Sequence, residues 1–135
     1  MKRWLLLYQI TAGSSDAATG ILLMVAPALT LELMHVTVLP APIVFMRYIG
    51  IFVAAVGASY LWTIARYPLS RRFALAWSSQ WQVTALIRLS IALFLLVESV
   101  FSDMEHAWLL IAAFDGLLAG VQIFGVWRGW FDRLD

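Results

Sequence analysis

The chain has no cysteine among its 135 residues and little charge, with only 13% Asp, Glu, Lys and Arg. Lack of cysteine excludes a disulfide framework, a thiol redox pair and a thiolate metal site. The shortage of charge excludes an ordinary soluble domain, in which roughly a quarter of residues are charged. Histidine is scarce too: the two present, His35 and His106, sit at predicted loop edges and do not form a paired intramembrane haem site. G-x-S-x-G, P-loop and H-E-x-x-H motifs are missing, as is any metal-ligand spacing. The chain therefore reads as non-enzymatic, with no cofactor expected. A net charge of +1 gives no electrostatic reason to expect a nucleic acid partner.

Apolar side chains are abundant. Hydrophobic residues make up 63% of the chain, and the mean hydropathy is +0.88. Such a composition belongs in a lipid bilayer. Four stretches are long enough to cross one, which takes about 20 helical residues: Trp4–Pro27, Ile43–Ile64, Gln80–Phe101 and Ala107–Trp127. The connectors carry breakers: Pro40 and Pro42, then Pro68, then the short acidic turn "SDMEH". The expected fold is all-α, a single four-helix transmembrane bundle over residues 1–135. The N-terminal stretch has a basic start and small residues, as a signal peptide does. Its removal would leave "ILLMV" too short to span, so it is read as the first helix.

Seven of the nine basic residues, Lys2, Arg3, Arg66, Arg71, Arg72, Arg128 and Arg133, lie at the N-terminus, the second loop and the C-terminus. The positive-inside rule then puts both termini in the cytoplasm of a multi-pass protein of the inner cell membrane. Six of seven tryptophans (Trp4, Trp62, Trp77, Trp81, Trp127, Trp130) fall on that side, with Trp108 opposite, as interfacial anchors would. Two stretches look interfacial: "ALTLELMHV" after Pro27, and Leu69, Phe73, Trp77 and Trp81 at four-residue spacing beside Arg71 and Arg72. The latter reads either as a membrane-surface helix or as a basic loop with aromatic anchors. The cluster Asp103, Glu105 and His106 reads as a solvated acidic turn rather than a cation site.

The polar run "ITAGSSDAATG" interrupts the first apolar segment. At 1.5 Å per residue, Asp16 lies ~18 Å from the cytoplasmic edge, and Asp115 lies ~12 Å from the outer edge, at a similar level. Arg88 is ~12 Å above the cytoplasmic edge and Arg47 ~6 Å below the outer one. Glu98 is near the outer edge, while Gln9 and Gln122 share a depth nearer the cytoplasm. A charge at the bilayer centre costs at least ~2.5–3.5 kcal/mol, so Asp16, Asp115, Arg47 and Arg88 are expected to face inward and pair. Helical periodicity groups Gln9, Gly13, Asp16 and Gly20; Thr84, Arg88 and Glu98; and Asp115, Ala119 and Gln122. Small residues run beside these stripes: Gly50, Ala54 and Ala58 in the second helix, and Ala112, Gly116 and Gly120 in the fourth. They allow close backbone approach. The polar centre is either a lock that fixes helix register or a pocket that binds a small ligand or relays protons.

The runs "GILLMVAPALTLELM", "MRYIGIFVAAVGASYLW", "IRLSIALFLL" and "WLLIAAFDGLLAGVQIFGVWR" together resemble the small four-helix bacterial membrane proteins of the DoxX-like type. The matching positions are Gly20 and Pro27; Arg47, Gly50, Gly57 and Tyr60; Arg88; and Asp115 with Gly116. The resemblance implies a partner subunit in quinone-linked oxidation or membrane assembly. The resulting expectation is an accessory or scaffold subunit that lines a lipid or quinone pocket, partnered by the bilayer and by another membrane protein or further copies of itself. The chain is also similar to the small multidrug transporters in having four short helices and an acidic residue, Asp16, in the first. That similarity implies proton-coupled transport. The biased topology and the basic residues near the depth of Asp16 argue against it.

Overall fold

A computed structural model of the chain describes residues 2–134. All regular structure among them is helical: α1 (Lys2–Val25), α2 (Pro27–Leu33), α3 (Val44–Arg66), α4 (Ala74–Phe101) and α5 (Trp108–Trp127), with a 3₁₀ turn at Arg71–Phe73 leading into α4. Three helices are long and apolar enough to cross a membrane: Val44–Arg66, Arg71–Phe101 and Trp108–Trp127. This is the mark of a membrane protein. α1 has the length, but "GSSDAATG" in its middle lowers its apolarity below that of the other three. Large apolar side chains stand exposed along the spans, among them Phe45, Phe52, Phe94 and Leu117, as a lipid-facing surface requires.

Several boundaries differ from the sequence reading. The first helix stops at Val25 and does not run through Pro27. Proline disfavours α geometry in the residue before it, and Ala26 sits at φ −135°. Pro27 then opens α2 at the first helical position, where a missing N–H costs nothing. α4 begins at Ala74, six residues before the expected start, so Trp77 and Trp81 belong to this long helix and not to a separate surface helix. They are also not interfacial anchors: Trp77 and Trp81 are buried, whereas Trp4, Trp62 and Trp127 are exposed.

The chain forms two compact units, the first ending at Pro68 and the second beginning at Leu69. In the first, α1 and α3 pack antiparallel, with α2 against α1. Their contact is backbone to backbone. A Cβ on Gly57 would stand 2.3 Å from the nitrogen of Ala17, and one on Gly13 would stand 2.7 Å from the Cβ of Tyr60. Gly50 packs on Gly20 in the same way. The stripe on α3 is thus Gly50, Ala54 and Gly57. Ala58, one residue further round the helix, is exposed and takes no part.

In the second unit, α4 and α5 form an antiparallel hairpin. Ala92 faces Gly116 at ordinary contact distance, and Ala112 and Ala119 are buried. Gly120 meets nothing within 4 Å and is exposed, so it does not belong to the packing stripe. Beyond α5 the chain turns back at Gly129. Phe131 and Leu134 are buried, and Phe131 meets Trp81 edge-on with centroids 5.0 Å apart.

Candidate functional site

The clearest polar constellation lies between α4 and α5. Arg88 is the only cation of α4 and sits about 21 Å along it from Ala74. Asp115 is the only charged residue of α5. The Arg88 guanidinium donates to the Asp115 carboxylate in a direct ion pair. Their side chains are 3% and 15% exposed, so the pair is largely buried.

Nearer the N-terminal end of α4 a second polar link spans the same two helices. Gln122 donates from Nε2 to Thr84 Oγ1 at 2.8 Å. The Thr84 hydroxyl in turn donates to the Gln80 carbonyl at 2.9 Å, so it both accepts and donates. One turn separates Thr84 from Arg88, so amide link and ion pair form a ladder along a single seam. A buried pair fixes register, because sliding either helix by a turn would strand a charge in hydrocarbon.

In the first unit the polar residues are disposed differently. Gln9, fully buried, donates to the Tyr60 carbonyl at 3.3 Å and ties α1 to α3. Asp16 lies on the buried side of α1 at 8% exposure, between the close-packed Gly13 and Gly20. Ser14 and Ser15 are exposed. Arg47 departs from the expectation that it faces inward. It is exposed in the first turn of α3 and forms no ion pair among the described residues. A position one turn from a helix end lets an arginine keep its head in water while its stem lies against lipid, so no buried partner is needed.

Glu98 also falls outside the ladder. It is half-exposed near the C-terminal end of α4 and accepts a hydrogen bond from Ser102 at 2.5 Å. The buried stripe of α4 runs instead through Trp77, Trp81, Thr84, Arg88, Ala92, Leu95 and Ser99. Among the described residues no group of three His, Cys, Asp or Glu side chains could hold a metal ion; Asp103 and His106 are exposed in the turn before α5.

Gly125 lies outside the small-residue stripe expected on this helix, yet it shapes the hairpin. A Cβ there would stand 2.6 Å from the Trp130 ring and 2.8 Å from the Trp81 ring. Its spacing of five residues from Trp130 was the available signal. The chain matches no model of a protein family, no curated protein and no solved structure.

Proposed function

We propose that the chain is a rigid, non-enzymatic accessory or scaffold subunit of a larger complex in the inner cell membrane. It spans the bilayer four times with both termini in the cytoplasm, and it borders a lipid or quinone site. The observation that carries this reading is the Arg88–Asp115 ion pair, which joins the two helices of one hairpin beside the Gln122–Thr84 link. Such a pair locks two helices and leaves the surrounding apolar faces for lipid or a partner. The resemblance to DoxX-like proteins supports the same reading. So does the exposure of all seven basic residues that set the orientation, from Lys2 to Arg133.

The alternative is a proton-coupled transporter, favoured by one observation: Asp16 is a buried carboxylate midway along α1. Affinity purification at native expression in a mild detergent separates the two. A subunit comes out with a stoichiometric membrane partner whose own abundance falls when the chain is deleted. A partner-free protein that moves a substrate into liposomes under a pH gradient, and stops when Asp16 becomes Asn, decides for transport. A reporter fused at the C-terminus tests the topology, and an extracytoplasmic signal would overturn it.

A further inference from the structure

We propose that a groove between α4 and α5 seats an acyl chain of an anionic glycerophospholipid, with Arg128 holding its phosphate. The inference rests on reading α4 and α5 as membrane spans. The groove is an open one with a volume of about 380 Å³. Its wall is formed by Ala85, Leu86 and Leu89 from α4 and by Ile123, Val126 and Trp127 from α5. Gln82 stands at one end, and Gln122 at the wall turns its amide nitrogen toward Thr84. Between Gln82 and Leu89 the groove runs about 10 Å along α4, a large part of the ~15 Å depth of one leaflet's hydrocarbon. A lipid tail suits a wall of this kind, being long and apolar and asking for no hydrogen bonds.

The charge at the groove's end selects the headgroup. Trp127 is the last residue of α5, and Arg128 follows it directly. The Arg128 guanidinium stands 5.7 Å from the centroid of the Phe124 ring, which is itself 6.1 Å from that of Trp127. The cation is thereby held beside the groove's aromatic edge. The same end of the hairpin carries exposed Arg71, Arg72 and Arg133, against one carboxylate among the described tail residues, Asp132. This surplus of positive charge complements a phosphate that bears a net negative headgroup and not a zwitterionic one.

Native mass spectrometry of the full chain in mild detergent, with equimolar phosphatidylglycerol and phosphatidylcholine of matched acyl chains, tests the proposal. The expected result is one retained lipid with a preference for phosphatidylglycerol of about fivefold, the weight of one basic residue at an anionic surface. Arg128→Gln should bring that ratio close to one. Leu89→Trp should lower retention of both lipids severalfold by filling the groove. Leu89 is 37% exposed, and Ile123→Trp replaces this variant if it does not fold. Equal retention of the two lipids by the native chain overturns the proposal, as does a preference that survives Arg128→Gln or retention that survives a filled groove. Release of the chain from membranes by alkaline carbonate would defeat the span reading and the lipid site with it. An integral protein without lipid preference defeats the lipid site alone.

Discussion

Gly20 on α1 and Ala54 on α3 lie so close that a Cβ on Gly20 would stand 2.2 Å from the Ala54 nitrogen and 2.6 Å from its Cα. The obstacle is backbone and not the end of a flexible side chain, so relief requires the helices to part. In a bilayer, helix association draws on van der Waals contact and not on water exclusion, and separation forfeits that contact along the whole seam. Gly20→Ala and Gly57→Ala should each destabilise the first unit by about 1–3 kcal/mol, the usual range for overpacking. Gly120→Ala, where nothing lies within 4 Å, is the control and should be neutral. Thermal unfolding in detergent, followed by circular dichroism, reads the difference. Equal effects at all three positions would mean that the α1–α3 seam is not close-packed.

The Arg88–Asp115 pair gives a prediction with a characteristic sign. Removing one partner takes from the other, still buried, its counter-charge in the hairpin, and breaking a buried pair in this way costs about 3–5 kcal/mol. Asp115→Leu and Arg88→Leu should each lower stability by that order. The double substitution should recover part of the loss, because neither half of the pair is then left without the other. Unfolding titrations of the two single variants and the double variant provide the cycle. A double variant as unstable as the sum of the singles would rule out a mutual lock.

Much of this architecture was legible in the residues. The apolar runs located α3, α4 and α5 because a bilayer demands about 20 of them in succession. The depths of Asp16, Asp115, Arg47 and Arg88 point to pairing among the four, because a lone charge is so costly there, but depth alone does not say that Arg88 meets Asp115. Packing was harder to read. Trp77 and Trp81 at four-residue spacing look the same whether they face a membrane surface or a folded-back tail, and what decides is Phe131, fifty residues beyond Trp81. Spacing of small residues marks a stripe but not its phase, and neighbours of Ala58 and Gly120 make the contacts instead. The cost argument that would turn Arg47 inward weakens within one turn of a helix end, where it is exposed.

Two helix ends share one hydrogen-bonding scheme with different residues at its crux. At the end of α5, Gly129 N–H bonds Val126 O and Trp130 N–H bonds Gly125 O. At the end of α2, His35 N–H bonds Glu32 O and Val36 N–H bonds Leu31 O. Both are Schellman motifs, whose pivot residue adopts the left-handed conformation. Gly129 does so at φ +63° and His35 at +62°. Glycine takes that conformation freely, whereas a residue with a Cβ is penalised by about 1–2 kcal/mol. Gly129→Ala should therefore lower thermal stability, and His35→Gly should raise it by up to about 1 kcal/mol. A melting temperature unchanged by His35→Gly would mean that its side chain compensates for the backbone cost.

The C-terminal tail should behave as core and not as a frayed end. Chain termini are commonly loose unless tied down, but Phe131 and Leu134 are 2% and 1% exposed. Phe131 packs edge-on against Trp81, and Trp130 lies edge-on to both Trp81 and Phe124. The Schellman turn at Gly129 brings Trp130 back over Gly125, where only a hydrogen leaves room for the ring. Phe131→Ala should cost about 3–5 kcal/mol, as for a buried aromatic elsewhere. Gly125→Leu should displace Trp130 and change the tryptophan emission. Truncation after Arg128 should expose Trp77 and Trp81, with a red-shifted emission and a loss of stability at least as large as that of Phe131→Ala. A truncated chain that melts with the full-length protein would show that the tail rests on the hairpin without holding it.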